Sequence, residues 1–524
     1  MSRLFLGLDS STQSLSAMIV DYDSREVVYE ASARFDEALS SYGTENGVLP
    51  NDDPLIKHSP PLMWVEALDV LFEQMCAEGA PLSEVLAVSG SGQQHGTVYL
   101  KAGADEVLGR LNPAEPLVGN LHGVFSRTTS PIWMDASTGA ECAEIRDAVG
   151  GRRATTEETG STTFERFSGP QIRRFFKTEP EAYADTAHVA LVSSFLASIL
   201  VGRLAPIDHG DGAGMNLMDI QKRTWSDKAV EATAPDLRAK LPELAASWTV
   251  IGPVSEYFVK RYGLNPQACA LVWSGDNPNS VIGLGLVDET VAAISLGTSD
   301  TYFGILRACR TDPNGEGHVF GSPTGDYMSL ICFKNGSLAR EKVRDAYGLD
   351  WKGFSEALRG TPPGNNGAIM LPYFETEIVP RVLEPGVRRF NLAEDDAAAN
   401  CRAVAEAQMM SMRIHSEWMG VRPDRLYATG GASIDTDLLQ VMADVHGCPV
   451  SRFTVTNSAA LGAALRAAHG WLRAEGKDPG WGAIVTGFCE PAGDSEIQPR
   501  SDAEAVYGPL MERYRACEKA DTIS

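Results

Sequence analysis

The sequence predicts an α/β protein built in two halves, and three observations carry that expectation. A strand, a tight turn rich in Gly, Ser and Thr, and a returning strand occur once in each half. Apolar strands alternate with segments of helical periodicity along both halves, the pattern of helix-covered sheets. The chain is 524 residues long and 44% hydrophobic, enough for substantial cores. Length alone allows three domains or two.

The first half opens with an apolar strand, Leu4-Phe5-Leu6-Gly7-Leu8, ending at Asp9. The hydroxyl-rich turn Ser10-Ser11-Thr12-Gln13-Ser14 follows, and residues 15–22 return. A third strand is expected over 26–35, then a polar, proline-bearing loop over 40–61. A helix is predicted over 62–77, because Met63, Ala67, Val70, Leu71 and Met75 recur at helical spacing. Residues 85–89 read as a buried strand entering Gly90-Ser91-Gly92-Gln93-Gln94-His95-Gly96, with strand resuming over 97–100. Asp135 is placed to cap a helix over 136–149. Residues 191–200 form a nearly all-apolar helix, and 208–216 a loop whose glycines permit unusual backbone angles.

The change of domain is expected around Gly283-Leu284-Gly285-Leu286, giving an N-terminal domain over 1–286 and a C-terminal one over 287–524. The second half repeats the hairpin, with strand 291–296, turn Gly297-Thr298-Ser299 and strand 300–306. A long helix is predicted over 395–419 and a strand over 425–428 that enters Thr429-Gly430-Gly431-Ala432-Ser433. Helices over 436–446 and 459–468 complete the pattern, and the tail after Ala483 is too weakly patterned to assign.

Composition narrows the function. A net charge of −24 would repel nucleic acid and anionic membrane. Nine scattered cysteines, with no Cys-x-x-Cys, read as reduced thiols, and the nine histidines form no zinc pattern. The apolar stretch after Arg3 is too short for a signal peptide, and no run approaches the roughly 18 apolar residues of a membrane span. A cytoplasmic protein with a small-molecule partner is expected.

Each hairpin tip exposes backbone N–H groups and hydroxyls, which suits a polyphosphate, although ordinary β-hairpins share the pattern. Between the halves, Val272-Trp273-Ser274-Gly275-Asp276-Asn277-Pro278 puts a carboxylate on a turn beside a helix start. Asp276 there is a candidate for taking a proton from a sugar hydroxyl or holding Mg²⁺. The alternative is an Asp turn or a helix cap.

Taken in order, Leu8-Asp9-Ser10-Ser11-Thr12-Gln13, Ser91-Gly92-Gln93-Gln94-His95-Gly96, Trp133-Met134-Asp135, Ser274-Gly275-Asp276-Asn277-Pro278, Ser295-Leu296-Gly297-Thr298-Ser299-Asp300 and Thr429-Gly430-Gly431-Ala432-Ser433 resemble the FGGY carbohydrate kinases. The resemblance runs from Leu4 to about residue 470. Asp211-Gly212-Ala213-Gly214-Met215-Asn216-Leu217 and Phe333-Lys334-Asn335-Gly336-Ser337-Leu338 draw it towards those members that act on D-xylulose. It implies two ribonuclease-H-like domains of the actin-like ATPase superfamily, with ATP and sugar in a cleft between them.

Carried over residue by residue, the resemblance implies Asp276 as catalytic base and Asp9, with Asp276, near Mg²⁺. It implies His95, Arg166, Asp276 and Asn277 at the ketose. Ser11, Thr12, Gly297, Thr298, Gly430 and Gly431 would meet ATP. Arg166 also reads as a surface or ion-pair arginine. Trp351 matches a position against adenine and equally reads as a core tryptophan. Asp435 stands where some relatives carry asparagine near the base. Asp208 and Asp211 read as structural carboxylates near the sugar, with His209 in place of a more usual apolar or tyrosine residue. Lys334, Arg340, Lys342 and Arg344 read as a solvated helix face, with phosphate attraction second.

The implied activity is ATP- and Mg²⁺-dependent phosphorylation of a five-carbon ketose, D-xylulose, by a monomer or homodimer. Ribulose or another polyol on the same fold is the alternative substrate. A non-catalytic actin-like nucleotide switch is the alternative of another class, and it would need no base poised for a sugar hydroxyl.

Overall fold

The structure, a computed structural model, describes residues 2–453, 457–493 and 495–522. The chain forms two compact units. The first comprises Met1–Val287, Val319–Tyr327 and Val455–Glu490; the second comprises Asp288–His318, Met328–Thr454 and Pro491–Ser524.

The sheet of the first unit has the strand order Val250–Pro253, Cys269–Leu271, Val85–Gly92, Leu4–Ser10, Ser14–Asp21, Glu26–Arg34. The opening hairpin is antiparallel, from Leu4 opposite Asp21 to Ser10 opposite Leu15. Leu4–Ser10 then runs parallel to Val85–Gly92, which sets Asp9 opposite Ser91. Ser274–Gly275 continues along the same strand, Ser274 opposite Ser91 and Gly275 opposite Gly92. Three strand ends carrying Asp9, the Gln93-Gln94-His95 segment and Asp276 therefore meet at one end of the sheet, where open α/β sheets bind ligands.

Because side chains alternate along a strand, Leu4, Leu6 and Leu8 enter one core and Phe5 and Gly7 face the other side. The leucines pack with Met63, Trp64, Leu68 and Leu71 of the helix Pro61–Ala77. That helix starts on Pro61, whose missing N–H costs nothing in a first turn. On the other face the helix Ser458–Ala474 lies across the sheet so closely that a Cβ on Gly7 would stand 2.1 Å from the Ala460 carbonyl oxygen. No residue but glycine fits there.

The second unit repeats this order. Tyr327–Phe333, Asp300–Leu306, Val291–Leu296, Arg425–Thr429 and Val450–Arg452 lie side by side. The hairpin is antiparallel with Leu296 opposite Asp300, and its first strand runs parallel to Arg425–Thr429. In each unit, then, an antiparallel hairpin lies beside two further strands that run parallel to its first strand. The helix Ala397–His415 starts at Asp396, whose side chain accepts the Ala399 N–H, and packs against Ile369–Tyr373 and the helices Trp351–Gly360 and Thr436–His446.

Several boundaries move. The helix predicted over 136–149 starts at Gly139, with Thr138 at its cap. Asp135 is buried and instead takes the Ser137 and Lys57 N–H groups at 2.9 Å and the Gln171 amide at 2.8 Å, so it ties loops together. Residues 208–216 are no loop: His209–Ala213 is a short helix capped by Asp208. Its glycines have ordinary φ, and the left-handed residue of the segment is Asn216. The predicted 459–468 helix extends over Ser458–Ala474, and 395–419 divides into Ala397–His415 and a 3₁₀ turn, Glu417–Met419. The unassigned tail holds the helix Ala503–Thr522, which buries Ala503, Tyr507, Leu510, Met511 and Tyr514 at helical spacing.

Candidate active site

In the first unit the end of the sheet concentrates carboxylates. Asp9 is buried, and its Oδ1 has no hydrogen-bond partner among the described residues. Burial pushes its carboxyl up to about 7; the Ser91 hydroxyl offsets part of this, and the charge of Asp276 adds to it. Asp276 is half-buried at the first position of the helix Asp276–Gly283. Its Oδ1 accepts the Asn277 N–H at 2.8 Å, the Asn277 side-chain amide at 3.1 Å and the Gln94 N–H at 3.3 Å. Burial raises it to about 6 against those hydrogen bonds. A carboxylate titrating just below neutrality suits a base.

Of the residues expected at the ketose, Asn277 adjoins Asp276, His95 follows its partner Gln94, and Arg166 lies near His95. Asn277 donates to Gln94 Oε1 at 2.7 Å, which fixes the orientation of the Gln94 amide. The Gln94 Nε2 is buried without a partner among the described residues. His95 is buried in the left-handed region, φ 71°. Its Nδ1 lies 2.8 Å from the Gly214 carbonyl oxygen. A carbonyl only accepts, so Nδ1 carries the proton and Nε2 a lone pair. Burial, with the Arg166 charge, lowers His95 to about 3, so the ring is neutral. Arg166 lies against Phe164 and Phe167, and the Phe167 ring stands 4.5 Å from that of His95.

Ser11 and Asp9 line a cavity of about 570 Å³ at the first hairpin. Thr12 is already engaged: its hydroxyl accepts the Trp133 indole N–H at 2.9 Å. Trp133 is itself 44% exposed.

Asp208 is structural, as the sequence suggested. It caps the short helix through the Gly210 and Asp211 N–H groups and accepts the hydroxyls of Ser247 and Ser274. Asp211 accepts the Ser193 hydroxyl on Oδ2, while its buried Oδ1 has no partner among the described residues. Burial raises its carboxyl well above the ordinary range, favouring the neutral form.

In the second unit a cavity of about 750 Å³ is lined by Gly297, Thr298, Ser337, Trp351, Gly431 and Asp435, among others. Trp351 is 44% exposed at the start of its helix, with the Arg344 guanidinium 4.3 Å over its ring, so it is no core tryptophan. Gly431 has open space where a Cβ would stand. Gly430 does not: at φ 83° its Cβ would meet the Leu296 carbonyl oxygen at 2.6 Å. It is glycine for its own backbone. Asp435 Oδ1 caps the helix Thr436–His446 through the Asp437 and Leu438 N–H groups and accepts the Ser355 hydroxyl at 2.6 Å.

The basic cluster is a solvated face in part: Lys342 is exposed and Lys334 and Arg344 half-buried, and Arg340 departs from it. Arg340 is buried in a two-pronged pair with Asp300, at 2.7 and 3.0 Å. Lys342 and Arg344 pair with Glu375 and Asp345, and Lys334 donates to Thr376.

Comparison with known proteins shows the family. Models of the N-terminal and C-terminal domains of the FGGY family of carbohydrate kinases match residues 128–283 and 292–471. The chain belongs to the FGGY family of carbohydrate kinases. It is 44% identical over 528 residues to the xylulose kinase of Rattus norvegicus, covering 99% of this chain and 97% of the relative. It is 45% identical over 493 residues to xylulose kinase 2 of Arabidopsis thaliana, covering 90% and 87%.

Among solved structures of lower identity, the xylulose kinase of Rhodospirillum rubrum superposes with a TM-score of 0.83 at 20% identity, covering 99% of each chain. The glycerol kinase of Plasmodium falciparum with ADP gives 0.79 at 16% identity, covering 99% and 98%. The FGGY kinase fold is that of the actin-like, ribonuclease-H-like ATPases, and the two repeated sheets are its two copies.

Sequence reasoning about this FGGY kinase passed over Gln94 and the pair Asp300–Arg340. For Gln94 the signal was present, since it lies in the Gln-Gln-His segment directly before His95. For Arg340 it was not, because its partner is 40 positions away.

Proposed function

We propose that this carbohydrate kinase transfers the γ-phosphoryl group of ATP to the primary C5 hydroxyl of D-xylulose, giving D-xylulose 5-phosphate and ADP. For the sugar, the carrying observation is 44% identity with a xylulose kinase over 99% of this chain. For the chemistry it is Asp276, a carboxylate raised to about 6 with its hydrogen bonds gathered on Oδ1.

Asp276 Oδ2 takes the hydroxyl proton as the sugar oxygen forms its bond to phosphorus and the bond to the ADP oxygen breaks. The neutral His95 offers Nε2 as an acceptor to a ketose hydroxyl, and Gln94 and Arg166 offer donors. In the second unit Trp351 is the surface for adenine, beside Gly431 and Asp435; the Gly297-Thr298 tip meets the phosphates. In the first unit Ser11, whose hydroxyl already donates to the Ser14 carbonyl at 3.1 Å, and the backbone N–H of Thr12 are that hairpin's own phosphate-binding candidates.

Asp9 and Asp276 fit Mg²⁺. Asp9 Oδ1 is a buried carboxylate oxygen with no partner among the described residues, and hard cations take oxygen ligands. Among the described residues no three His, Cys, Asp or Glu side chains form a ready-made metal cage. That suits an ion held by one or two carboxylates, phosphate oxygens and water. When bound it supplies charge neutralisation at the β- and γ-phosphates.

D-xylulose and D-ribulose differ only at C3, so discrimination rests on polar groups aimed at that hydroxyl. Each buried group left unpaired costs about 1–3 kcal/mol. ADP release measured across a ketose panel should give kcat/KM for D-xylulose at least roughly tenfold above D-ribulose. Equal turnover of D-ribulose or glycerol would overturn the substrate while leaving the kinase.

A further inference from the structure

The hairpin tip Gly297-Thr298-Ser299 is braced by a set of side chains, of which Arg340 and Ser337 also line the cavity of the second unit. Asp300, the residue that ends the tip, is fully buried and clamped by both Nη atoms of Arg340. The same guanidinium donates to Gln408 Oε1 at 2.7 Å and to the Ser337 hydroxyl at 2.9 Å. Gln408, on the central helix Ala397–His415, turns its amide to the carbonyls of Asn335 and Gly336 at 2.7 and 2.9 Å. Ser337 closes the circuit, its N–H donating to the Gly297 carbonyl at 2.9 Å. Glu377 holds the other side of the turn, accepting the N–H groups of Lys334 and Asn335 at 2.6 and 3.0 Å.

The tip is thus joined to the core helix twice, once through Asp300 and once through Ser337, and Arg340 belongs to both routes. We propose that Arg340 is the positioning residue of this phosphate turn: through Asp300, Ser337 and Gln408 it holds the Gly297-Thr298 backbone and hydroxyl in the geometry that receives the β- and γ-phosphates. This rests on the kinase reading of the site. An arginine is needed because only a planar fork meets a carboxylate with two parallel bonds and still reaches an amide; a lysine ammonium is a single point. A displacement of about 1 Å in such a turn costs on the order of 10²-fold in transfer.

The test separates phosphate from nucleoside. Calorimetry of adenosine and ADP binding, with steady-state kinetics for ATP and D-xylulose, is run on the parent and on Arg340→Lys. The expected result is ADP affinity reduced at least tenfold, adenosine affinity within twofold of the parent, a higher KM for ATP, a lower kcat and an unchanged KM for D-xylulose. A purely structural role would weaken both ligands together, so an ADP-to-adenosine ratio within twofold of the parent overturns the proposal. Should Arg340→Lys fail to fold, Gln408→Met keeps every charge, removes the link to the turn and is read by the same ratio. A parent that binds no ADP rejects the kinase reading itself. A parent that binds ADP but prefers another sugar rejects only the substrate, because the ratio does not involve the sugar.

Discussion

Asp276 accepts the backbone N–H of Gln94 at 3.3 Å on Oδ1, the same oxygen that takes both N–H groups of Asn277. One oxygen is therefore occupied in holding the carboxylate to the Gln-Gln-His segment, and Oδ2 is left for a substrate proton. Asp276→Asn preserves the shape and loses the base. Its kcat should fall by about 10²–10⁴-fold with ADP affinity little changed, measured by coupled ADP release and calorimetry. Near-normal turnover would remove Asp276 from the role.

The same carboxylates predict a pH dependence. Asp9 at about 7 and Asp276 at about 6 must ionise for the base and the cation site to work, so kcat/KM should rise with pH through that window. The apparent values belong to the interacting pair. His95, at about 3, contributes nothing to this limb. A flat profile between pH 5 and 8 would reject the assignment.

Stability without cation should run the opposite way. Both carboxyls have pKa values raised on folding, so the folded state holds more protons than the unfolded chain from about pH 4 to pH 7. Urea stability should therefore carry a contribution that is lost as pH rises through that range. Asp9→Asn should remove much of the slope and weaken any rise in Tm given by Mg²⁺ at pH 8. An unchanged slope in the variant would show that Asp9 titrates as an ordinary surface carboxylate.

At the ketose end, His95 occupies a left-handed backbone position, which asparagine tolerates better than alanine. His95→Asn keeps the backbone and removes the imidazole acceptor. The KM for D-xylulose should rise at least tenfold while ADP affinity stays within twofold; a parallel loss of both would point to a folding role.

Trp351 is exposed, so Trp351→Ala should leave Tm nearly unchanged. If adenine stacks on it, ADP affinity should fall roughly tenfold, as should that of adenosine. Loss for ADP alone would place the indole at the phosphates instead.

Much of this was legible from local pattern. The two hairpins, Leu4–Ser10 with Ser14–Asp21 and Val291–Leu296 with Asp300–Leu306, were readable because an apolar run and a hydroxyl-rich turn are contiguous properties. Asp276 stood out for the same reason: a strand end, a glycine and a carboxylate follow one another in seven residues of chain. The helix of the tail was readable in principle, its buried positions recurring at helical spacing, but Gly508 and Pro509 interrupt the pattern.

The sequence by itself therefore determined the repeated strand–turn–strand units and the residues at their tips, set by short-range alternation and turn chemistry. It also put Asp276 on a turn, its role as base implied only by the family resemblance. Tertiary structure decided the rest. It laid Ser458–Ala474 on the first sheet against Gly7, gave His95 its neutral ring by burial beside Gly214 and Arg166, and exposed Trp351. It also turned Arg340 from a member of a basic stretch into a buried clamp on Asp300. Burial and the choice of a charge's partner are set by segments distant in sequence, and no local pattern encodes which carboxylate will be waiting when an arginine leaves water.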